Sequence, residues 1–447
     1  MSKLSNRRQF LQTTALTGIG FWIASQGAAQ ESKSPNERVA IAGIGLGNQG
    51  STDVNNASKL GDIVAICDVD ESRISKKFPK AKKYADFRRM LDEMDKSIDA
   101  VTVSTPDHIH APAALLAMRM GKHCYCQKPM TRSIYEARLM SQVAREMKVA
   151  TQMGNQGTAD QTLRKAVSFC QSGALGAPKE IHVWTNRPIW PQGKARPEPA
   201  DCPTTLNWDL WIGPAPMRPY AKGYHPRDWR GWWDFGTGAL GDMACHTMNM
   251  PYWAYDLRDP ISVQAETSGH NKDSFPSSSK IVYEFAATDK RPAVKLYWYD
   301  GGNLPAKSVM DPMYELYEKK LGKDGLISGC VVIGEKDTLY VPGDYAEKPI
   351  KLSGDKPLPE VQFVKSPGHY EEWIRAIKGG EPAMSNFADY SGRLTETVLL
   401  GNLAVWVADK GQGEKIIWDA ENLKCSNVEG LKSLIKPNYR PGYTLDA

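Results

Sequence analysis

Three side chains from separate parts of the chain, Lys128, Asp242 and His246, could together remove a proton from a hydroxyl group. Asp242 and His246 are four residues apart, so on a helix they share one face and can converge on one oxygen. His246 is the candidate base, because imidazole titrates near neutral pH. Lys128 could hydrogen-bond the same oxygen, or act as the base if burial lowers its pKa. The alternative is purely structural: Asp242 would cap a helix, His246 would be a core histidine and Lys128 a surface charge.

A glycine-rich segment near the N-terminus has the spacing of a dinucleotide-binding turn. Gly45-Leu46-Gly47-Asn48-Gln49-Gly50 follows a short apolar run and precedes a helical pattern, so its backbone can approach a pyrophosphate. Asp68 ends the next apolar run, where a carboxylate accepts hydrogen bonds from ribose hydroxyls and repels a 2′-phosphate. We therefore predict NAD, with NADP kept open by the nearby Arg73. The predicted contacts in this segment are Gly45, Gly47, Asn48, Gln49, Gly50 and Asp68.

An alternation of apolar runs and helical patterns provides the scaffold for these residues. Runs separated by single helices predict a parallel, doubly wound Rossmann sheet. These runs lie at 38–44, 63–67, 100–104, 123–126 and 149–153. Later strand-like runs predict a mostly antiparallel sheet in an α+β C-terminal domain. They lie at 280–285, 293–299, 331–333 and 338–340.

The predicted fold is therefore α/β, with an NAD-binding Rossmann domain over 36–155 and a substrate-binding α+β domain over 156–430. An apolar helical pattern over 387–407 predicts a long helix, which we expect to pack at the domain junction. The segment 299–325 has no clear period, and we expect it to form an insertion over the site.

Three motifs of this chain resemble those of one enzyme family. They are Thr105-Pro106-Asp107-His108-Ile109-His110 after the predicted strand at 100–104, Gln127-Lys128-Pro129 after that at 123–126, and Gly241-Asp242-Met243-Ala244-Cys245-His246 farther on. This combination is similar to the glucose-fructose oxidoreductase and inositol dehydrogenase (Gfo/Idh/MocA) family, and the likeness spans nearly all of the chain after residue 30. The resemblance implies a two-domain NAD(P)-dependent oxidoreductase.

The resemblance also assigns roles to individual residues. It places Lys128 and Pro129 beside the nicotinamide, and Asp242 and His246 at the substrate. Gln127 occupies a position where the family usually has glutamate, so the lysine lacks one expected charge partner.

The motif after the predicted strand at 100–104 also contributes cofactor contacts in this interpretation. We predict that Thr105, Pro106, His108 and His110 line the cofactor cleft, or that the histidines cap the following helix. Two histidines two residues apart also suggest a metal, but their place after a Rossmann strand favours the cofactor. No metal site is predicted.

Seven of the 13 tryptophans lie between residues 184 and 233, interleaved with arginines. Flat aromatic faces beside polar side chains suit sugar rings. We predict that Asn155, Arg230, Trp232 and Trp233 bind a carbohydrate together with His246, whereas the tryptophans at 208 and 211 pack in the core. A tryptophan-rich structural loop or a subunit contact is the alternative.

The N-terminus carries an export signature. Asn6-Arg7-Arg8-Gln9-Phe10-Leu11-Gln12 has the twin-arginine pattern, followed by an apolar stretch over 15–24 and small residues over 27–29. We predict a twin-arginine signal peptide over 1–29 and a periplasmic protein that folds around its cofactor before export. The eight cysteines show neither disulfide nor zinc spacing, which fits buried thiols.

The net charge of +5 on 447 residues is too small for a nucleic-acid-binding protein. The expected partners are a carbohydrate, the export machinery and further copies of the chain. We predict an NAD-dependent oxidoreductase acting on a CH–OH group of a sugar, sugar derivative or glycoside, with a tightly held cofactor. The alternatives are glycoside cleavage through transient oxidation and a non-catalytic sugar-binding or sensing protein.

Overall fold

The computed structural model describes residues 38–74, 76–317 and 328–445. The predicted signal peptide over 1–29 lies outside these residues.

The first domain contains a parallel six-stranded sheet in the order β3-β2-β1-β4-β5-β6, the doubly wound order of a Rossmann fold. Its central strands are buried on both faces, which explains their continuous apolar sequence. The predicted Rossmann sheet is confirmed, with the addition of the short edge strand β3. The strands are β1 Val39–Ile44, β2 Gly61–Cys67, β3 Lys82–Tyr84, β4 Ala100–Val103, β5 His123–Cys126 and β6 Thr151–Met153.

Four helices follow these strands. Helix α4 begins at a complete capping box, in which Ser133 and Glu136 exchange side-chain and backbone hydrogen bonds. Helix α3 begins at Asp107, so His108 and His110 lie inside it. The helices are α1 Gln49–Leu60, α2 Phe87–Glu93, α3 Asp107–Arg119 and α4 Ile134–Met147.

The second domain is built on a ten-stranded sheet in which neighbouring strands are antiparallel except for the pair β7 and β10. This sheet confirms the predicted mostly antiparallel α+β domain. Its strands are β7 Pro178–Trp184, β8 Ser262–Thr267, β9 Ser279–Phe285, β10 Val294–Tyr299, β11 Gly329–Gly334, β12 Thr338–Pro342, β13 Lys351–Leu352, β14 Gly411–Gln412, β15 Ile416–Asp419 and β16 Lys424–Cys425. Its helices are α5 Gln161–Gln171, α6 Trp208–Ile212, α7 Gly238–Thr247, α8 Asn249–Tyr255, α9 Lys307–Leu316, α10 His369–Ile377, α11 Gly392–Val407 and α12 Lys432–Ile435.

Two late helices return to the first domain. In α10, Trp373 packs against Tyr125 of β5. Helix α11 contacts α4 of the first domain and α7 and β8 of the second, and Arg138 of α4 donates two 2.7 Å hydrogen bonds to its Glu396. The chain after residue 369 therefore joins both domains rather than extending one of them.

The structure describes the segment 299–325 as far as Tyr317, and none of these residues lines the cavity between the two domains. Its helix α9 instead buries Met310 and Met313 against Trp184 and Tyr340 on the second sheet. The expectation of an insertion over the site is therefore wrong for these residues, because the apolar side of α9 is used on the sheet.

All eight cysteines are free thiols, and six of them are buried. No helix in the described ranges is long and apolar enough to cross a membrane. The same residues contain no group of three or more histidine, cysteine, aspartate or glutamate side chains arranged to hold a metal ion.

Candidate active site

A cavity of about 380 Å³ lies between the carboxyl edge of the Rossmann sheet and the second domain. This edge is where open parallel sheets bind ligands. The cavity brings together most of the predicted site residues from both domains. They are Gly45, Gly47, Asn48, Gln49, Asp68, Thr105, Pro106, Lys128, Arg230, Asp242 and His246.

The glycine turn fits a dinucleotide because two positions tolerate no side chain. Gly45 has φ +84°, and a Cβ there would lie 2.6 Å from the carbonyl oxygen of Ser104. A Cβ on Gly50 would lie 2.2 Å from the carbonyl oxygen of Gly45, so Gly50 packs helix α1 onto the turn rather than lining the cavity. No side chain of a described residue caps the start of α1, and its first turn has no acidic residue. Its N–H groups remain suited to a phosphate.

Asp68, the residue after β2, is fixed in place by two hydrogen bonds from backbone N–H groups. Its Oδ2 accepts a 2.7 Å hydrogen bond from the N–H of Leu46, and its Oδ1 accepts one of 2.9 Å from the N–H of Asp70. Burial raises the pKa of Asp68 despite these bonds. Each carboxylate oxygen has a second lone pair, so the residue can still accept from a ribose hydroxyl.

His108 and His110 do not line the cavity, which corrects their prediction as cofactor contacts. Both ring nitrogens of His110 lie 2.9 Å from backbone carbonyl oxygens, those of Pro129 and Thr105. The ring nitrogens of His108 face the carbonyl oxygens of Phe235 and Trp211, and burial lowers its pKa to about 3. A neutral imidazole donates from only one nitrogen, so each histidine makes one of these hydrogen bonds and packs between the loops that form the site. Pro129, also predicted as a cofactor contact, does not line the cavity either.

Lys128 and Asp242 form an ion pair across the two domains. Lys128 Nζ donates to Asp242 Oδ1 at 2.7 Å and to its backbone oxygen at 2.9 Å. Arg230 Nε lies 3.2 Å from Oδ1, and Arg187 Nε lies 3.6 Å from Oδ2. Burial acts to raise the pKa of Asp242, but Lys128 and Arg230 hold it well below its ordinary value. The charge partner of the lysine is therefore Asp242.

His246 differs from the other residues of the site because neither ring nitrogen has a hydrogen-bond partner among the described residues. It is 1% exposed, lies on α7 one turn after Asp242, and meets Tyr345 edge-on with the ring centroids 4.5 Å apart. Burial, and then the Lys128 ammonium, lower its pKa well below the usual value. His246 is therefore a neutral imidazole with bare nitrogens at the cavity wall.

Arg230 is held by an ion pair with Asp107, a residue that was not predicted from the sequence to belong to the site. Arg230 Nη1 lies 3.0 and 3.1 Å from the two carboxylate oxygens of Asp107, and Thr237 Oγ1 donates to the same carboxylate at 2.6 Å. The guanidinium also lies 4.3 Å from the ring centroid of Trp229. Asp107 belongs to the motif that carries the two histidines, but nothing in the sequence pairs it with residue 230.

Trp232 and Trp233 do not line the cavity, so their prediction as sugar-stacking rings is wrong in geometry. Trp232 is buried edge-on to Tyr224, and Trp233 stacks on Phe275 with centroids 3.7 Å apart. Trp229 and Arg230, within the short helical turn Asp228–Gly231, line the cavity. The two residues after the turn, Trp232 and Trp233, pack in the core. The tryptophans that line the cavity are Trp190, Trp211 and Trp229.

Asn155 also lies outside the cavity lining, although it is fully buried. Its side-chain oxygen and nitrogen have no hydrogen-bond partner in the described part of the chain. The next residue, Gln156, lines the cavity instead. Other lining residues that the sequence did not single out as site residues are Arg187, His225, Arg227 and Tyr345.

A segment of the second domain, residues 205–230, covers the Asp68 end of the cavity, and we name it the strap. Its Asn207 N–H donates to the Val69 carbonyl at 2.9 Å, and its Thr205 carbonyl accepts from the Glu71 N–H at 2.9 Å. His225 Nε2 lies 3.0 Å from Asp70 Oδ2. The strap is therefore held over the Asp68 end of the cavity by direct bonds to residues 69–71, which follow β2.

Two matches to family models agree with this architecture. Residues 37–155 match the model described as an oxidoreductase family, NAD-binding Rossmann fold, and residues 156–291 match that of the C-terminal alpha/beta domain of the same family. Together they cover more than half of the chain. The protein belongs to the Gfo/Idh/MocA oxidoreductase family, whose first domain binds NAD.

Curated relatives match the chain over a limited length. A myo-inositol 2-dehydrogenase of Thermotoga maritima is 25% identical over 156 residues, covering 34% of this chain and 46% of the relative. A levoglucosan dehydrogenase of Pseudarthrobacter phenanthrenivorans is 24% identical, covering 39% and 37%. A glycosyl hydrolase family 109 protein of Solibacter usitatus is 32% identical, covering 30% and 34%. The chain thus spans less than half the length of these relatives.

Solved structures show the same fold over most of the chain. The WlbA dehydrogenase from Bordetella pertussis, in complex with NADH and UDP-GlcNAcA, has a TM-score of 0.58 at 16% identity, covering 86% of this chain and 99% of that one. A levoglucosan dehydrogenase in complex with NADH and L-sorbose has a TM-score of 0.56 at 15% identity, covering 85% and 99%.

Proposed function

We propose that the protein oxidises a CH–OH group of a sugar, sugar derivative or glycoside, with NAD as the hydride acceptor. The observation that carries this proposal is the pair of bare ring nitrogens on His246, beside the Lys128–Asp242 ion pair in the cavity that holds the dinucleotide turn. Three tryptophans and several arginines on the same wall suit a sugar ring. Relatives named as inositol and levoglucosan dehydrogenases support this substrate class.

The cofactor would be held by the turn at Gly45 and Gly47, by Asp68, and by the loop of Thr105 and Pro106. When bound, NAD supplies the acceptor for the hydride that leaves the substrate carbon. The protein contributes the placement of both ligands, and the strap covers the Asp68 end of the cavity.

His246 receives the hydroxyl proton in this mechanism. Its lowered pKa keeps one ring nitrogen free to accept the proton, and Asp242 on the same helix face stabilises the positive charge that forms. Lys128 Nζ, which lies 2.7 Å from Asp242, is placed to donate to the reacting oxygen as negative charge develops. Arg230, fixed by Asp107, keeps this carboxylate ionised.

We also propose that the cofactor is tightly held and that the protein is exported to the periplasm through the twin-arginine route. The bonds between the strap and residues 69–71 support slow cofactor release. Residues 6–12 support export. Changing Arg7→Lys and Arg8→Lys should leave folded, NAD-loaded protein in the cytoplasm. Normal export of this variant would overturn the route.

The proposed activity is tested by adding sugars, sugar acids and glycosides anaerobically to the NAD-loaded protein. Stoichiometric appearance of reduced-nicotinamide absorbance with one of them is the expected result. Binding of a sugar without any reduction, across neutral and acidic sugars and their glycosides, would instead indicate a sugar-binding module.

Glycoside cleavage through transient oxidation is the second candidate, supported by the 32% identity to a glycosyl hydrolase family 109 protein. Product analysis by NMR separates the two candidates. Net oxidation leaves a carbonyl product and reduced cofactor, whereas cleavage leaves two unoxidised sugars and NAD in its starting state.

A further inference from the structure

Asp53 is a completely buried carboxylate in α1, one turn after Gln49. Four side-chain donors converge on it. Its Oδ1 accepts from Gln49 Nε2 at 2.9 Å and from Tyr370 Oη at 2.7 Å. Its Oδ2 accepts from Ser104 Oγ at 2.7 Å and from Gln127 Nε2 at 2.9 Å. Both oxygens are therefore fully used by donors from four different segments.

Three of these donors belong to the loops that form the cofactor side of the cavity. Gln49 lies in the glycine turn, Ser104 directly precedes Thr105, and Gln127 directly precedes Lys128. Gln127 continues the connection, because its Oε1 accepts from the backbone N–H of Lys128 at 3.2 Å. The fourth donor, Tyr370 on α10, lies outside these loops. The Asp53 carboxylate therefore accepts one hydrogen bond from each of the three loops.

We propose that Asp53 is a positioning residue that sets the spacing of the three cofactor-binding loops and the place of Lys128. The inference rests on the NAD site of the proposed function and not on its substrate. The role of Asp53 also explains why residue 127 is a glutamine and not a glutamate. A glutamate there would put a second carboxylate at the position of Nε2, 2.9 Å from Asp53 Oδ2, and two buried like charges at that distance repel each other.

The test is a charge exchange between Asp53 and Gln127. In either orientation of the new amide, Asp53→Asn places its nitrogen against an amide donor, that of Gln127 or that of Gln49, and Gln127→Glu places carboxylate against carboxylate. The double variant restores complementarity, because the new amide oxygen accepts from Gln49 and Tyr370 while its nitrogen donates to the Ser104 hydroxyl and to the Gln127→Glu carboxylate.

The readout is the Kd of NAD measured by calorimetry on folded, nucleotide-free protein, with thermal unfolding followed in parallel. Each single variant should weaken NAD binding by roughly tenfold or more, the usual effect of an unsatisfied buried group. The double variant should recover most of that loss. Ser104→Ala, which removes one donor without adding a clash, should give a smaller loss in the same direction.

Two controls separate positioning from general stability. Asp92→Asn, an exposed carboxylate on α2, should leave both the Kd and the unfolding temperature unchanged. Tyr370→Phe removes the donor that lies outside the cofactor loops, so it should change the Kd less than Ser104→Ala does while lowering the unfolding temperature. The inference is overturned if folded single variants bind NAD like the native protein, or if the double variant binds no better than the weaker single one. A native protein that binds NAD but oxidises no sugar refutes the proposed function and leaves this series intact.

Discussion

Two helices, α3 of the first domain and α7 of the second, carry buried histidines near the cavity, and the surroundings of these histidines differ in one respect. On α3, the ring nitrogens of His108 and His110 all face backbone carbonyl oxygens within 3.2 Å. On α7, the ring nitrogens of His246 face no partner among the described residues. All three side chains are 1% exposed. Burial therefore does not distinguish structure from chemistry here, whereas what the ring nitrogens face does: backbone carbonyls around His108 and His110, and the cavity at His246.

The difference follows from how each helix is used. Helix α3 joins the strap to the loops after β4 and β5, and its histidines connect backbone segments that are far apart in sequence. Helix α7 presents one face, with Asp242 and His246, to the cavity. A buried polar group without a partner destabilises a protein unless a ligand or water satisfies it. The comparison therefore assigns His110 to the scaffold and His246 to the ligand.

The largest effect is expected for Lys128→Ala, which removes the cation paired with Asp242. The rate of cofactor reduction should fall by about 10²- to 10⁴-fold, the range for loss of a group that acts in the transition state. Because Lys128 lowers the pKa of His246, the acid limb of kcat/KM should also move to higher pH. A pH–rate series measures both. An unchanged rate would exclude Lys128 from the chemistry.

His110→Ala should act on stability instead. Loss of the ring that connects the Thr105 and Pro129 carbonyls should lower the free energy of unfolding by about 2–4 kcal/mol, and by more than His246→Ala does. Urea unfolding of both variants measures this, with cofactor reduction by the folded fraction as the control. If His110→Ala kept its stability and lost NAD, the residue would be a cofactor contact after all.

Two fully buried histidines, His108 on α3 and His369 at the start of α10, also predict acid sensitivity. Burial lowers the pKa values of His108 and His369 to about 3 each, below the unfolded value near 6.5. The unfolded chain then binds more protons, so each residue's contribution to stability is complete above pH 6.5 and is lost as the pH falls toward 3, by about 1.4 kcal/mol per pH unit. Urea unfolding between pH 7 and 4.5 should show a shallower decline for His108→Gln than for the native protein. Equal slopes would contradict the lowered pKa.

The smallest effect is expected for His225, which is bonded to a carboxylate rather than to a carbonyl. Burial raises the pKa of Asp70, but hydrogen bonds from Ser72 and His225 outweigh it and bring the value to about 2. His225→Ala breaks one of several bonds of the strap, so NAD release should become faster by roughly threefold to tenfold, the value of one such bond. Stopped-flow measurement of nucleotide release, with Asp92→Asn as the control, would detect this. Unchanged release would mean that the strap does not retain the cofactor.

Much of the fold could be predicted because its signals are local. Strand β5 has the predicted limits, His123–Cys126, and the glycine turn lies between β1 and α1 as its spacing requires. The pairing of Asp242 with His246 also follows from helical periodicity alone. These features depend on neighbouring residues in the sequence.

The remaining features depend on contacts between distant segments. Trp232 and Trp229 are three residues apart in one tryptophan-rich stretch, yet only Trp229 lines the cavity, whereas Trp232 packs in a core cluster with Tyr224. Asp53 accepts from Tyr370, which is 317 residues away, and no periodicity reports such a bond. For the same reason the sequence could not separate His108 from His246.

The central claim is that His246 accepts the substrate proton, and single-turnover reduction of bound cofactor tests it most directly. With NAD-loaded protein and an active sugar, His246→Ala should retain nucleotide and fold but reduce the cofactor about 10²- to 10⁴-fold more slowly than the native protein. Its loss should not add to that of Lys128→Ala in the double variant, because both residues act on one oxygen. Reduction at the native rate by His246→Ala would contradict the account and assign the base to another group.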